Sequence, residues 1–267
     1  MSEVTVNDVR LNVRDRGAGA PTLVFIHGVM CSGALFANQL RSLSSRYRVV
    51  APDLRGHGDS QKVLAGHTVP RYADDLRALF QAIGVERPVL IGWSMGAMVA
   101  FEYLKAFGQD QVAGLVIVDQ TPSDFAWPDG YEFGMFTPQV LAEAVEHIQN
   151  DLAGVASFWA DLMLHEPNPD HAALLVGEVT KVPPPIGTSI LVDQTLRDYR
   201  GFLAEVRVPT LVAFGGDDKA TSPEAGRWIA DRIRGARLAV FDRSSHCPFL
   251  EEPEAFDAEL SAFVEGL

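Results

Sequence analysis

The chain has 267 residues, 47% of them hydrophobic, and a formal net charge of −13 at pH 7. That length suits one large α/β domain with an insertion, and an acidic surface repels phosphate backbones and anionic lipid headgroups. We therefore expect neither a nucleic-acid partner nor a membrane-surface partner.

The N-terminus and the cysteines bear on cellular location. The first 17 residues mix charged and apolar side chains, without the basic start and apolar centre of a signal peptide. No stretch reaches the roughly 18 apolar residues of a membrane span. Two cysteines, Cys31 and Cys247, are too few for a disulfide framework in a chain of this length. These features predict a cytoplasmic protein without a membrane span.

Short apolar runs alternate with helical patterns along most of the chain. Continuous apolar runs are typical of strands covered on both faces, and apolar residues at helical spacing indicate amphipathic helices. The predicted strands cover residues 4–6, 10–15, 22–26, 49–51, 89–91, 115–118, 210–214 and 238–241. The predicted helices of this pattern cover 35–43, 72–83, 95–107, 223–233 and 256–264. The alternation predicts an α/β fold with a mostly parallel sheet flanked by helices and led by an antiparallel hairpin.

One segment interrupts this alternation. Residues 123–203 contain no strong buried strand, but they contain helical stretches near 139–149 and 152–164, a proline break at 183–185, and many aromatic side chains. We interpret 123–203 as a helical cap inserted into a core formed by residues 1–122 and 204–267. The aromatic content predicts an apolar substrate pocket. Its candidate lining residues are Trp93, Trp127, Phe136 and Trp159.

A serine between two glycines follows a predicted buried strand directly. The sequence GWSMG places Ser94 between Gly92 and Gly96, and a predicted helix begins at Met95. A nucleophile at a sharp strand-to-helix turn needs small residues two positions before and after it, because the turn is crowded. The spacing therefore predicts a nucleophile elbow at Ser94, although a simple glycine-rich turn would give the same pattern.

A serine hydroxyl becomes a good nucleophile when a base removes its proton, and the base needs an orienting carboxylate. His246 is the candidate base, because it follows the last predicted strand at the edge where α/β ligand sites form. Asp217 and Asp218 follow the strand before it, and Asp119 follows an earlier one. Each of these three aspartates is a candidate for the orienting acid.

An oxyanion intermediate needs backbone donors. The loop after the strand at 22–26 reads HGVM, and the amides of Val29 and Met95 are the candidate donors. His27 in the same loop is interpreted as structural. No His-Glu-x-x-His and no Cys-x-x-Cys occurs, so we expect no metal.

Taken together, these residues resemble the α/β-hydrolase family, over nearly the whole chain. The shared motifs are HGVM near residue 27, PDLRGHGDS at 52–60, GWSMGA at 92–97, FGGDD at 214–218 and SHCPFLEEPEAF at 245–256. The order serine, aspartate, histidine is the order of the family. The resemblance places the acid at Asp218, with Asp119 as the minority alternative, and makes His57 structural. Cys247 follows His246 directly and Cys31 lies in the predicted oxyanion loop, so that we expect the two to come close in space, as free thiols or, as the alternative, as a redox pair.

The resemblance implies a cofactor-free serine hydrolase that acts on a small, largely apolar carboxylic ester or lactone. A serine at position 94 argues against dehalogenase and epoxide-hydrolase chemistry, which need a carboxylate nucleophile. The same triad would also serve perhydrolysis of the haloperoxidase type, C–C bond hydrolysis or amide cleavage. A ligand receptor on a hydrolase scaffold is the alternative outside the enzymes. The sequence is compatible with a homo-oligomer.

Overall fold

A computed structural model describes residues 2–267 and contains an eight-stranded sheet. The strand order is β1-β2-β4-β3-β5-β6-β7-β8, with β1 and β2 antiparallel to their neighbours and the others parallel. The mostly parallel sheet with a leading hairpin is confirmed. The strands are β1 (Ser2–Val6), β2 (Val9–Arg16), β3 (Thr22–Ile26), β4 (Arg48–Pro52), β5 (Val89–Trp93), β6 (Gly114–Val118), β7 (Thr210–Gly215) and β8 (Arg237–Phe241).

The central strands are buried along their whole length. Every residue of β3, β5, β6 and β7 is buried, because helices cover both faces of the sheet. Their continuous apolar runs therefore reflect burial on two sides. The edge strand β8 is partly exposed. None of the helices among residues 2–267 is both long enough and apolar enough to cross a membrane.

Ten α-helices complete the described part of the chain. The helix predicted over 35–43 is split, because 3₁₀ turns at Gly33–Phe36 and Leu43–Ser45 flank a short α-helix. A further 3₁₀ turn covers Gly201–Glu205. The α-helices are α1 (Ala37–Ser42), α2 (Val69–Ile83), α3 (Met95–Phe107), α4 (Pro138–Asn150), α5 (Leu152–Met163), α6 (Pro169–Thr180), α7 (Pro184–Thr195), α8 (Pro223–Ala230), α9 (Pro248–Glu251) and α10 (Pro253–Glu265).

The segment between β6 and β7 is helical. The stretches predicted near 139–149 and 152–164 correspond to α4 and α5, while α6 was not predicted. The break predicted at 183–185 lies between α6 and α7: Pro183 stands in the gap between the two helices, and Pro184 and Pro185 begin α7. Proline is tolerated in the first turn of a helix, where an amide hydrogen would have no partner within the helix. The division into a cap at 123–203 and a core stays a proposal.

Candidate active site

Ser94 lies at the sharp turn between β5 and α3. Its backbone has φ 52° and ψ −129°, a conformation that costs a non-glycine residue about 1–3 kcal/mol. Two hydrogen bonds hold the turn: the Ser94 amide donates to the Val118 carbonyl at 2.9 Å, and the Ala97 amide donates to the Ser94 carbonyl at 2.8 Å. The strained conformation is therefore fixed by the adjacent strand and by the first turn of the helix.

The glycines on either side of Ser94 are required by close backbone contacts. A Cβ atom at Gly96 would lie 2.0 Å from the Ile26 carbonyl oxygen, and one at Gly92 would lie 2.5 Å from the Ala97 backbone. Both distances are far shorter than van der Waals contact. Gly96 lets the elbow pack against β3 and Gly92 leaves room for the first turn of α3, as the spacing of the motif predicts.

His246 lies in the turn between β8 and α9, and its ring contacts Asp218. The Nδ1 atom of His246 is 3.0 Å from Oδ2 of Asp218, and both side chains are buried. The His246 amide also donates to the Met163 carbonyl at the end of α5, at 3.1 Å. This geometry fixes the ring orientation and directs Nε2, the second ring nitrogen, away from Asp218.

The pKa values of the two candidate acids, Asp218 and Asp119, are shifted in opposite directions. Burial opposes ionisation of Asp218, but the charge of His246 and several hydrogen bonds outweigh it and lower the pKa of Asp218 to about 2. Burial and the neighbouring Asp218 carboxylate raise the pKa of Asp119 well above its ordinary range. Asp119 accepts hydrogen bonds from the Gly215 amide. Asp218 is therefore the ionised carboxylate in contact with His246, and Asp119 lies beside it.

These groups also have the spacing of a metal site. One ligand atom from each of Asp119, Asp218 and His246 lies within 4.8 Å of the other two. The Asp218 carboxylate already accepts hydrogen bonds from the His246 ring and the Thr221 hydroxyl, and the Asp119 carboxylate accepts one from the Gly215 amide. Hydrogen bonding within the protein thus accounts for the cluster, and the expectation of no metal stays an expectation.

The loop after β3 and the start of α3 each place one backbone amide near Ser94. Among residues 2–267, the amides of Val29 and Met95 donate to no protein group, and Val29 lines the same cavity as Ser94. His27 anchors this loop: its Nδ1 donates to the Gly28 carbonyl at 2.8 Å, and its Nε2 accepts from the Leu54 amide at 2.9 Å. Burial lowers the pKa of His27 to about 4. The structural interpretation of His27 fits these bonds.

A cavity of about 120 Å³ joins the predicted nucleophile and base. Its walls are mostly apolar, and they include two of the predicted aromatic residues, Phe136 and Trp159. The full lining consists of Val29, Ser94, Gln120, Asp124, Met135, Phe136, Trp159, Leu162, Met163, Leu191, Gln194, Ala220, Thr221 and His246.

Two of the predicted substrate-binding residues are not in this lining. Trp93 is fully buried between Phe36, Phe249 and the His246 ring. The Trp127 indole donates to the Ser123 hydroxyl at 2.8 Å and lies beside Phe125. The structure therefore does not support the predicted contact of Trp93 and Trp127 with substrate.

Sequence reasoning missed a polar group in the cavity wall. Gln120 and Asp124 follow β6, and Gln194 lies near the end of α7. Gln120 and Asp124 could have been found, because they belong to VDQTPSD at the carboxyl edge of the sheet, where α/β ligand sites form. Gln194 had no such signal, because α7 was not predicted.

The two cysteines are free and buried. Burial raises the pKa of the Cys31 thiol, and burial together with the nearby Cys31 raises that of Cys247. The expected proximity of the two thiols agrees with the influence of Cys31 on Cys247. High pKa values keep both thiols protonated and unreactive as nucleophiles.

Comparisons with known proteins place the chain in a family. The model of the Alpha/beta hydrolase family matches residues 23–259. The pimeloyl-[acyl-carrier protein] methyl ester esterase of Neisseria meningitidis serogroup B is 32% identical over 247 residues, which cover 90% of this chain and 92% of that relative.

Solved structures show the same fold. An esterase from Exiguobacterium antarcticum matches with a TM-score of 0.93 and 24% identity over 99% of both chains. The esterase RhEst1 from Rhodococcus sp. ECU1013 matches with a TM-score of 0.86 and 27% identity over 99% of this chain and 98% of that chain. The family match extends over strands β3 to β8 and the segment between β6 and β7. The chain therefore belongs to the alpha/beta hydrolase family of enzymes.

Proposed function

We propose that the chain is a serine hydrolase that cleaves a small, largely apolar carboxylic ester or lactone through an acyl-enzyme on Ser94. The observation that carries this proposal is the cavity that holds both the strained Ser94 and His246, with the His246 ring bonded to ionised Asp218. The esterase named among the relatives supports the ester as the bond that is cleaved.

The first half of the reaction forms the acyl-enzyme. Ionised Asp218 accepts the Nδ1 hydrogen of His246, so that Nε2 is free to take the proton of the Ser94 hydroxyl. The serine oxygen bonds to the ester carbonyl carbon, and the carbonyl π electrons move to oxygen. The amides of Val29 and Met95 then donate to this oxyanion.

The second half releases the products. The tetrahedral intermediate collapses, the bond to the alcohol oxygen breaks, and protonated His246 gives its proton to that oxygen. Water then loses a proton to His246 and attacks the acyl carbon. Collapse of the second intermediate breaks the serine ester, returns the proton to Ser94 and releases the carboxylic acid.

The cavity supports a small substrate with an apolar body. Its volume of about 120 Å³ is small compared with the roughly 300–1,000 Å³ of drug-sized ligand sites. Met135, Phe136, Trp159 and Leu162 supply apolar walls that exclude water from the reacting carbonyl. A short acyl or alcohol chain would fill this space.

The charge of the proposed cap argues against a substrate attached to an anionic carrier. Residues 123–203 contain twelve Asp and Glu but three Lys and Arg. All three cations are in ion pairs: Lys181 with Glu178, Arg197 with Asp193, and Arg200 with Asp198. A carrier linked through a phosphate would meet a repulsive surface here. We therefore propose a free ester, unlike the acyl-carrier substrate named for the Neisseria relative.

A screen of short-chain esters and lactones tests the proposal. We expect turnover of several small esters by the wild-type chain and none above background by Ser94→Ala, with the free acid and alcohol as products. Addition of hydrogen peroxide to the same assays would reveal perhydrolysis. Absence of ester and lactone hydrolysis in folded protein would contradict the proposal.

A further inference from the structure

One end of the cavity is polar, in contrast to its apolar walls. Gln120, Asp124 and Gln194 all line it, and each is at least nine-tenths buried. We call these three residues the polar end. They come from two separate elements, the segment after β6 and helix α7. None of them takes part in the proposed proton transfers.

The side-chain N–H groups of the polar end donate to other protein groups and not into the cavity. The Gln120 Nε2 atom donates to the Asp124 Oδ1 atom at 2.6 Å and to the Thr121 carbonyl at 2.9 Å, which uses both of its hydrogens. The Gln194 Nε2 atom donates to the Asp124 Oδ2 atom at 3.1 Å. The amides of the two glutamines are thus oriented by the carboxylate between them.

Acceptors remain unused at the same place. The Gln194 Oε1 atom is buried and has no hydrogen-bond partner among residues 2–267. The Gln120 carboxamide oxygen also accepts no hydrogen bond from the described residues, and it is absent from the fully buried unpaired atoms, so that water or a ligand in the cavity can reach it. A ligand that brings a donor to this oxygen therefore gains a hydrogen bond that a purely apolar ligand would leave unmade.

We propose that the polar end binds a hydrogen-bond donor on the substrate, a hydroxyl or an amino group distant from the scissile ester. This inference rests on the proposed ester hydrolysis and names the substrate class within it: esters with an apolar body and one polar, donor-bearing end. An ester that ends in a methyl group leaves the acceptors unpaired and loses rate accordingly.

Matched ester pairs test this proposal. One series carries a terminal hydroxyl and the other a terminal methyl, at increasing chain length, first on the acyl side and then on the alcohol side. A third series replaces the hydroxyl by an ammonium group and thereby distinguishes the two donors. We expect at least one donor-bearing ester to exceed its methyl partner in kcat/KM by about tenfold or more.

Variants connect this preference with the polar end. Gln120→Met removes the carboxamide at nearly constant size and should reduce the preference to about threefold or less. The exposed Gln139→Met on α4 makes the same change outside the cavity and should retain it. Rates are normalised to the fraction of enzyme that an active-serine probe labels, so that partial misfolding does not alter the ratio.

Two results would overturn the inference. One is equal or faster turnover of the methyl-terminated ester at every chain length, on both sides of the ester. The other is a lowered melting temperature of Gln120→Met with an unchanged preference, which would make the polar end purely structural. Calorimetric binding of the same pairs to Ser94→Ala gives the ratio of Kd values without turnover. It therefore separates a failure here from a failure of the proposed reaction.

Discussion

The indole nitrogen of Trp93 donates a 2.7 Å hydrogen bond to the main-chain carbonyl of His246. Trp93 precedes Ser94 directly, so that this bond connects the nucleophile elbow with the loop of the base. The Trp93 ring also lies against the His246 ring, with centroids 5.7 Å apart. Trp93, which we expected to contact substrate, thus has the contacts of a positioning residue.

Trp93→Phe should impair catalysis more than substrate binding. The change removes the indole N–H, leaves the buried His246 carbonyl without its donor and creates space in the core. We expect the free energy of unfolding to fall by about 2 kcal/mol. We also expect kcat to fall about tenfold with KM changed less than about threefold, because the base loop loses a restraint.

Steady-state kinetics and urea unfolding measure these effects. Trp228→Phe is the matched control, since Trp228 is partly exposed on α8 and stacks with Arg232. A Trp93→Phe variant with wild-type kcat would show that the bond does not position His246.

The two acids near His246 can be separated by conservative substitution. Asp218→Asn replaces the acceptor of the His246 proton by an amide and should lower kcat by about 10³- to 10⁴-fold, because the wrong imidazole tautomer is favoured. Asp119→Asn changes a carboxyl that accepts from the Gly215 amide, and burial together with Asp218 raises its pKa and disfavours its charged form, so that we expect a loss below about tenfold. Equal losses in the two variants would contradict the assignment of Asp218.

Asp124 should make the protein less stable as pH rises. Burial raises its pKa to about 6 in the folded chain, although side-chain hydrogen bonds favour the charged form. A pKa raised by folding adds stability below the unfolded value near 3.9, and this stability is lost as pH rises through about 6. The loss amounts to about 3 kcal/mol.

Urea unfolding of wild type and Asp124→Asn between about pH 4 and pH 8 measures this contribution. Since part of the contribution is already lost at about pH 4, the wild type should lose about 2.5 kcal/mol of unfolding free energy relative to Asp124→Asn between about pH 4 and pH 8. A difference independent of pH would contradict the raised pKa, because all other titrating groups are shared.

Replacing glycine by alanine should affect stability very differently in the elbow and on an exposed helix face. Gly96→Ala would place a methyl group 2.0 Å from the Ile26 carbonyl oxygen and should lower the free energy of unfolding by more than about 4 kcal/mol. Gly177→Ala lies on the exposed face of α6, where the new methyl group meets nothing within 4 Å, and should add about 1 kcal/mol. Thermal unfolding distinguishes the two, and equal melting temperatures would be inconsistent with the packing described.

The parallel core was predictable because its signals are local. Strands buried on both faces appear as apolar runs. The GWSMG sequence shows glycine at the two positions where a crowded strand-to-helix turn requires a small residue. His246 and Asp218 follow strands at the same edge of the sheet, so that chain order alone brings them near each other. Chain order does not distinguish Asp218 from Asp119 or Asp217, which also follow strands at this edge; the resemblance to the family favours Asp218, and its hydrogen bond to His246 agrees with that choice.

Features formed by long-range packing were harder to predict. The proline run at 183–185 indicates a break after α6, but no local pattern shows that the chain continues as helix α7 from Pro184. Trp93 was assigned to substrate because it adjoins Ser94, but its side chain points into the core toward Phe249. Gln194 reaches the cavity only because α7 packs beside it, and no local sequence pattern predicts that packing.

Covalent labelling of Ser94 tests the central claim most directly. Folded wild-type protein is treated with an active-serine fluorophosphonate, and the modified peptide is identified by mass spectrometry, with His246→Ala as a control that retains the serine but lacks the base. The account predicts stoichiometric modification at Ser94 in wild type and labelling slowed by about a hundredfold or more in His246→Ala. An unmodified Ser94 in folded wild-type protein, or equal labelling rates in the two proteins, would contradict it.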